Sequence, residues 1–165
     1  MVPFRRSGRR SVEPLRSAPD NHPWLAWNRR RGDGPGLALV LAGLGFIAEQ
    51  RGDADRALAY HRDGLAVAAT TKDPRSVALA LEGLAGAYSL SGEGERATRL
   101  LGTAAATRER AGAPHPPAER GGDVERIAAR LRATMDEATY TREFTAGTRR
   151  THEAEALAET DPRAP

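Results

Sequence analysis

The sequence predicts an all-α protein of stacked, antiparallel helix pairs, and three observations carry that prediction. A stretch repeats itself at an offset of forty residues, apolar residues recur at helical spacing between caps and breakers, and no segment shows strand-like alternation. Leu37 to Ala57 (LALVLAGLGFIAEQRGDADRA) aligns with Val77 to Ala97 (VALALEGLAGAYSLSGEGERA), and eight of the 21 aligned positions are identical. The matches fall in two blocks: Ala38/Ala78, Leu39/Leu79, Leu41/Leu81, Gly43/Gly83 and Leu44/Leu84, then Gly52/Gly92 and Arg56-Ala57/Arg96-Ala97.

Residues 1–36 hold prolines at 3, 14, 19, 23 and 35 and too little apolar surface to offset the entropy of ordering, so a disordered arm is expected there. Its exception is the apolar island Trp24-Leu25-Ala26-Trp27, which holds both tryptophans of the chain. From Leu37 the pattern turns helical. Leu37, Leu41, Leu44, Ala48 and Leu39/Phe46 cover two faces, which predicts a helix packed on both sides. Gly52 ends it, and Asp53 caps a second helix carrying Ala57, Leu58, His61, Leu65 and Ala68. Asp73-Pro74 opens a third, with Leu79, Leu81, Leu84 and Tyr88. Gly92 stops that one, and Ala97, Leu100, Leu101 and Ala104 build a fourth. The 112–122 segment, GAPHPPAERGG, is a linker that its prolines keep from being helical. Beyond it, Asp123 is expected to cap a helix striped by Val124, Ile127, Leu131 and Met135. A sixth helix carries Tyr140 and Phe144 and ends near Gly147, and Thr151 to Glu159 forms a short seventh. The domain plan is therefore arm 1–36, two helix pairs 37–111, linker 112–122, helical cap 123–160 and tail 161–165.

Two helices per unit with small residues where they cross resembles the tetratricopeptide (TPR) repeat. The signature falls on Leu41, Leu44, Gly45, Ala48, Ala57, His61 and Gly64, and again on Leu81, Leu84, Ala85, Tyr88, Ala97, Leu101 and Ala104. The resemblance implies a TPR-like α-solenoid with a helical C-terminal cap, although the forty-residue period exceeds the usual thirty-four. A narrower resemblance follows from RATRLLGTAAATRERAGAPHPPAER (Arg96 to Arg120) and MDEATYTREFTAGTRRTHEAEALA (Met135 to Ala158). This is similar to the C-terminal region of actinobacterial LuxR-type and SARP-type transcriptional regulators that join an ATPase domain to a TPR array. There the segment mediates control or partner contacts and performs no chemistry. The sequence has no GxxxxGK[ST] phosphate loop, and its one lysine, Lys72, sits in an inter-helix turn, so ATPase activity is not carried over.

Composition narrows the classes further. No cysteine is present, and His22, His61, His115 and His152 lie too far apart for a short ligand motif, so neither a disulfide framework nor a metal site is expected. No secretory h-region and no membrane-length apolar run occurs, which predicts a cytoplasmic protein. The net charge of +3 divides unevenly: residues 1–36 carry eight arginines against three acids, and the remainder is mildly acidic.

If the first helix of each pair lines the concave face of the stack, then Leu39, Ala42, Phe46, Glu49 and Gln50, with Glu82, Gly86, Ser89 and Leu90, form a partner-binding groove. The face is apolar and mildly acidic, so its expected ligand is an apolar or basic helical segment of a protein, such as a regulator or ATPase domain. Self-association is a further expectation, because two units fall short of the three a stable array needs. No cofactor, membrane or nucleic-acid partner is expected for this body. Gly43-Leu44-Gly45-Phe46-Ile47-Ala48 matches a GxGxxG/A dinucleotide fingerprint. Its block recurs at Gly83-Leu84-Ala85-Gly86, so a repeat explains both copies and a cofactor only one. His61 reads as a core histidine and Tyr140/Phe144 as a helix docking face. Glu49, Asp53, Asp55, Glu93 and Glu95 read as helix-end surface charges. The alternative function is nucleic-acid binding by the arm, where Arg29-Arg30-Arg31 stand beside Trp24 and Trp27. The leading expectation is a non-enzymatic, regulatory protein–protein interaction module.

Overall fold

Glycine and aspartate punctuate the chain as their backbone chemistry requires. A computed structural model describes residues 34–113 and 122–160, and all seven secondary-structure elements among them are helices. These are α1 (Gly34–Gln50), α2 (Ala54–Thr71), α3 (Pro74–Leu90), α4 (Gly94–Arg110), α5 (Asp123–Thr134), α6 (Glu137–Thr148) and α7 (His152–Thr160). The arm expected to be disordered lies almost wholly outside the described residues. Helix α1 begins three residues earlier than the apolar pattern suggests, because Pro35 falls in the first turn, where its missing N–H costs no hydrogen bond.

The two repeat glycines end their helices alike. Gly52 and Gly92 adopt left-handed φ values of +78° and +82°, and the following residue donates its N–H back into the last turn (Asp53 to Ala48 at 3.0 Å, Glu93 to Tyr88 at 3.0 Å). Asp53 then caps α2 through the Arg56 N–H, and Asp73 caps α3 through those of Arg75 and Ser76. Asp123 departs from expectation. Gly122 occupies the cap of α5, and Asp123 stands one residue inside, where its carboxylate takes Gln50 and Arg126 instead.

Helices α1 and α2 run antiparallel, with Gly34 beside Thr71, Gly64 beside Leu41 and Gly45 beside His61. Helices α3 and α4 repeat the hairpin, with Tyr88 under Arg96 and Glu82 beside Arg108. Helix α3 lies against both α1 and α2, so the pairs stack. The shared core is leucine and alanine: Leu65, Leu81, Leu84, Leu100, Ala57, Ala85, Ala97 and Ala104 are buried. Such small residues bring helix axes close, and dispersion acts over many short contacts. Helix α5 adds Ile127 and Leu131 to this core, and α7 leans across α2, α3 and α4.

The tightest crossing joins α4 to α6. Arg99 bonds Glu143, Thr103 bonds the Gly147 carbonyl at 3.0 Å and Arg110 bonds the Thr148 carbonyl at 2.8 Å. Residue numbers rise together, so these two helices are parallel. A Cβ on Gly102 would lie 2.1 Å from the Phe144 carbonyl oxygen, and one on Gly147 would lie 2.0 Å from that of Arg99. Backbone cannot give way as a side chain does. Gly102→Ala or Gly147→Ala must therefore push the helices apart, at a cost of about 3 kcal/mol in urea unfolding despite the better helix propensity of alanine. A loss under about 0.5 kcal/mol would mean that the crossing is looser than described.

Candidate helix-binding face

Glu49 sits in the last turn of α1, where sequence alone reads it as a surface charge. It is 1% exposed. Its burial has a plain physical cause: α5 crosses this face and brings two arginines, one turn apart, onto the one carboxylate. Arg126 bonds Glu49 through Nη1 at 2.7 Å and Nη2 at 2.5 Å, and Arg130 adds Nη1 at 2.5 Å. Burial alone would raise the Glu49 carboxyl. The hydrogen bonds and charges of the two guanidiniums outweigh it and hold the group below its ordinary value, so it is ionised at neutral pH. Arg130 also donates to Ser89 Oγ at 3.0 Å on α3, and Gln50 Nε2 donates to Asp123 at 3.0 Å. Between the arginines, Ile127 packs where a Cβ on Gly86 would lie 2.8 Å from its Cδ1.

The stripe read as a partner groove is thus the stripe on which α5 lies. Glu49, Gln50 and Ser89 bond α5 directly, and Gly86 makes room for it. Ala42 and Phe46 are buried, with Phe46 edge-on to His61 at 4.9 Å between ring centroids. Glu82 is buried and held by Arg108 through Nε at 2.5 Å and Nη2 at 2.8 Å. Leu90 is half-buried. Leu39 stands apart from this cluster and is 64% exposed. Arg126, Arg130 and Arg108 escaped the sequence reading. The usable signal was the pair of arginines four apart flanking Ile127, a basic-apolar stripe that complements an acidic one.

Tyr140 is buried and stacks on Phe144 at 6.0 Å, with the Arg132 guanidinium 4.1 Å over its ring. The two rings and Leu101, Val124 and Ala128 line a half-open apolar cleft of about 220 Å3 beside α5. Gly43 to Ala48 lies within helix α1, with no strand ahead of it among the described residues. His61 is a core histidine, as expected. Its ring lies flat between Gly45 and Gly83, where added Cβ atoms would come within 2.4 Å and 2.0 Å of it. Among the described residues no group of His, Asp or Glu is placed to hold a metal ion, and no helix is long and apolar enough to cross a membrane. Arg29 to Arg31, Trp24 and Trp27 lie outside the described residues.

Among the described residues, fold and face together define an all-helical body in which the first helices of two hairpins seat a further helix. No protein-family model, curated protein or solved structure matches the chain.

Burial pushes the His61 imidazole down to about 4, against the opposing charges of Glu49 and Asp123. The unfolded chain takes up this proton near pH 6.5 and the folded chain only near 4, so stability is full above about 6.5 and falls as pH drops through that window. The loss is on the order of 3 kcal/mol. In His61→Phe, which keeps a flat ring, stability should be level from pH 6.5 to about 5. Acid loss then begins as the unfolded chain protonates Glu49 and the other paired carboxylates, whose ordinary value is 4.5 for Glu49. Denaturant melts across pH check this, and an unchanged slope would refute the assignment.

Proposed function

We propose that the chain is a non-enzymatic, TPR-like protein–protein interaction module whose ligand class is an arginine-bearing amphipathic helix. On this reading it is regulatory, and related to the partner-binding arm of the LuxR-type and SARP-type regulators that residues 37–160 resemble. The supporting observation is the seat of α5. One buried carboxylate, Glu49, takes two arginines of a helix while Gly86 opens a slot for the isoleucine between them. Charge gives register and the glycine slot gives shape, as in helix-in-groove recognition. Helix α5 is then the resident occupant, joined to α4 through residues 111–122. A tether of that length holds it at an effective concentration of about millimolar, which a partner helix must outcompete. Leu101, Tyr140 and Phe144, the wall of the neighbouring cleft that belongs to α4 and α6 and not to α5, offer such a partner an apolar anchor.

Weakening the resident helix exposes the acceptor. Arg130→Ala keeps the bidentate Arg126–Glu49 pair, so the fold is retained while α5 loosens. A fluorescent peptide with the sequence of Asp123 to Thr134 should bind Arg130→Ala saturably and about tenfold more tightly than it binds the parent chain. A peptide with both arginines replaced by glutamate should not bind. Absence of binding to either protein, with α5 amides still fully protected from hydrogen exchange, would make the face fixed core and not a receptor.

A further inference from the structure

Helix α1 has an outward side that its repeat partner does not have. Leu39, Val40 and Ile47 are 64%, 45% and 48% exposed, and they surround Gly43, whose missing side chain leaves open space. No charged residue occurs from Gly34 to Ala48, which is unusual for a helix face turned to water. Forty residues on, the matching positions Ala80, Gly83 and Ala87 are closed. Ala80 and Ala87 are 3% and 0% exposed, and Gly83 receives the ring of His61 from α2. The Val40–Gly43–Ile47 stripe is therefore the helix-docking face of the unit, filled in the second copy and uncovered in the first among the described residues.

We propose that Trp24-Leu25-Ala26-Trp27 of the same chain covers this stripe, with a tryptophan ring over Gly43 as His61 lies over Gly83. Reach permits it. Six residues separate Trp27 from Gly34. Extended, they span roughly 20 Å, and the helix from Gly34 to Ile47 rises about 20 Å. Size favours a tethered occupant over a second copy. Four residues make up the stripe, whereas a stable interface between separate molecules uses about 20–30 a side. A segment at millimolar effective concentration needs no such area. Chemistry agrees: the stripe is uncharged and apolar with a hole for a ring, and the island supplies two rings and a leucine.

The only two tryptophans of the chain lie in this island, so their fluorescence reports on it alone. In the full chain the emission should be shifted to the blue of the guanidinium-unfolded chain and shielded from acrylamide. Gly43→Gln fills an open position without a clash, so helicity by circular dichroism should be kept. The emission should move to the red and acrylamide quenching should rise several-fold; Ile47→Asp should do the same. Emission already matching the unfolded chain, or blue emission indifferent to both substitutions, overturns the proposal. Blue emission that reddens on dilution, in step with dimer dissociation in sedimentation, assigns the stripe to a second copy instead.

Discussion

Close approach of helices through small residues is the constraint on which the rest of the structure depends. Glycine and alanine stand at the crossings: Gly45 and Gly83 on either side of His61, Gly86 under Ile127, and Gly102 and Gly147 against the opposite backbone. The large side chains of the core are mainly leucines, and Tyr88 and His61 supply the rings among the largest fully buried ones of the described residues. A core of this kind is held by many short contacts, and it tolerates added volume poorly. Every helix end must then be placed well, which is the work of the left-handed glycines and the aspartate caps.

Close packing also decides how charge is handled. The main ion pairs between helices put the carboxylate inside and let the guanidinium reach solvent. Side-chain exposure is 0% for Glu49 against 33% and 30% for Arg126 and Arg130, 3% for Glu82 against 14% for Arg108, and 2% for Glu159 against 30% for Arg96. A long arginine stem covers apolar surface while its planar head satisfies two carboxylate oxygens at once. Each buried acid then marks where one helix is pinned on another: α5 on α1, α4 on α3, and α7 on the α3–α4 hairpin. The last pin is strengthened by Tyr88, whose hydroxyl donates to Glu159 at 2.7 Å and whose ring lies under Arg96.

The helices were legible because their signals are local. Gly52, Asp53, Asp73-Pro74 and Gly92 act on the turns that contain them, and the forty-residue offset repeats those signals. What occupies the α1 and α3 face was not legible, because Gln50–Asp123 and Glu49–Arg130 pair residues 73 and 81 apart, and no periodicity reports such a contact. The same limit turned Glu49 into a supposed surface charge. Gly102 and Gly147 read locally as helix-weakening residues, and only the α4–α6 crossing explains them. Leu39 went the other way: a leucine on an apolar helix reads as packed, and it is exposed.

Glu49 is the charge that seats α5. The most direct measurement is a double-mutant cycle in urea unfolding with Glu49→Gln, Arg126→Gln and the pair together. A coupling of about 2 kcal/mol between the two positions is the predicted result. Single losses that add to within about 0.5 kcal/mol would contradict it, because the helix would then be held by apolar packing alone and the face would carry no charge-based recognition.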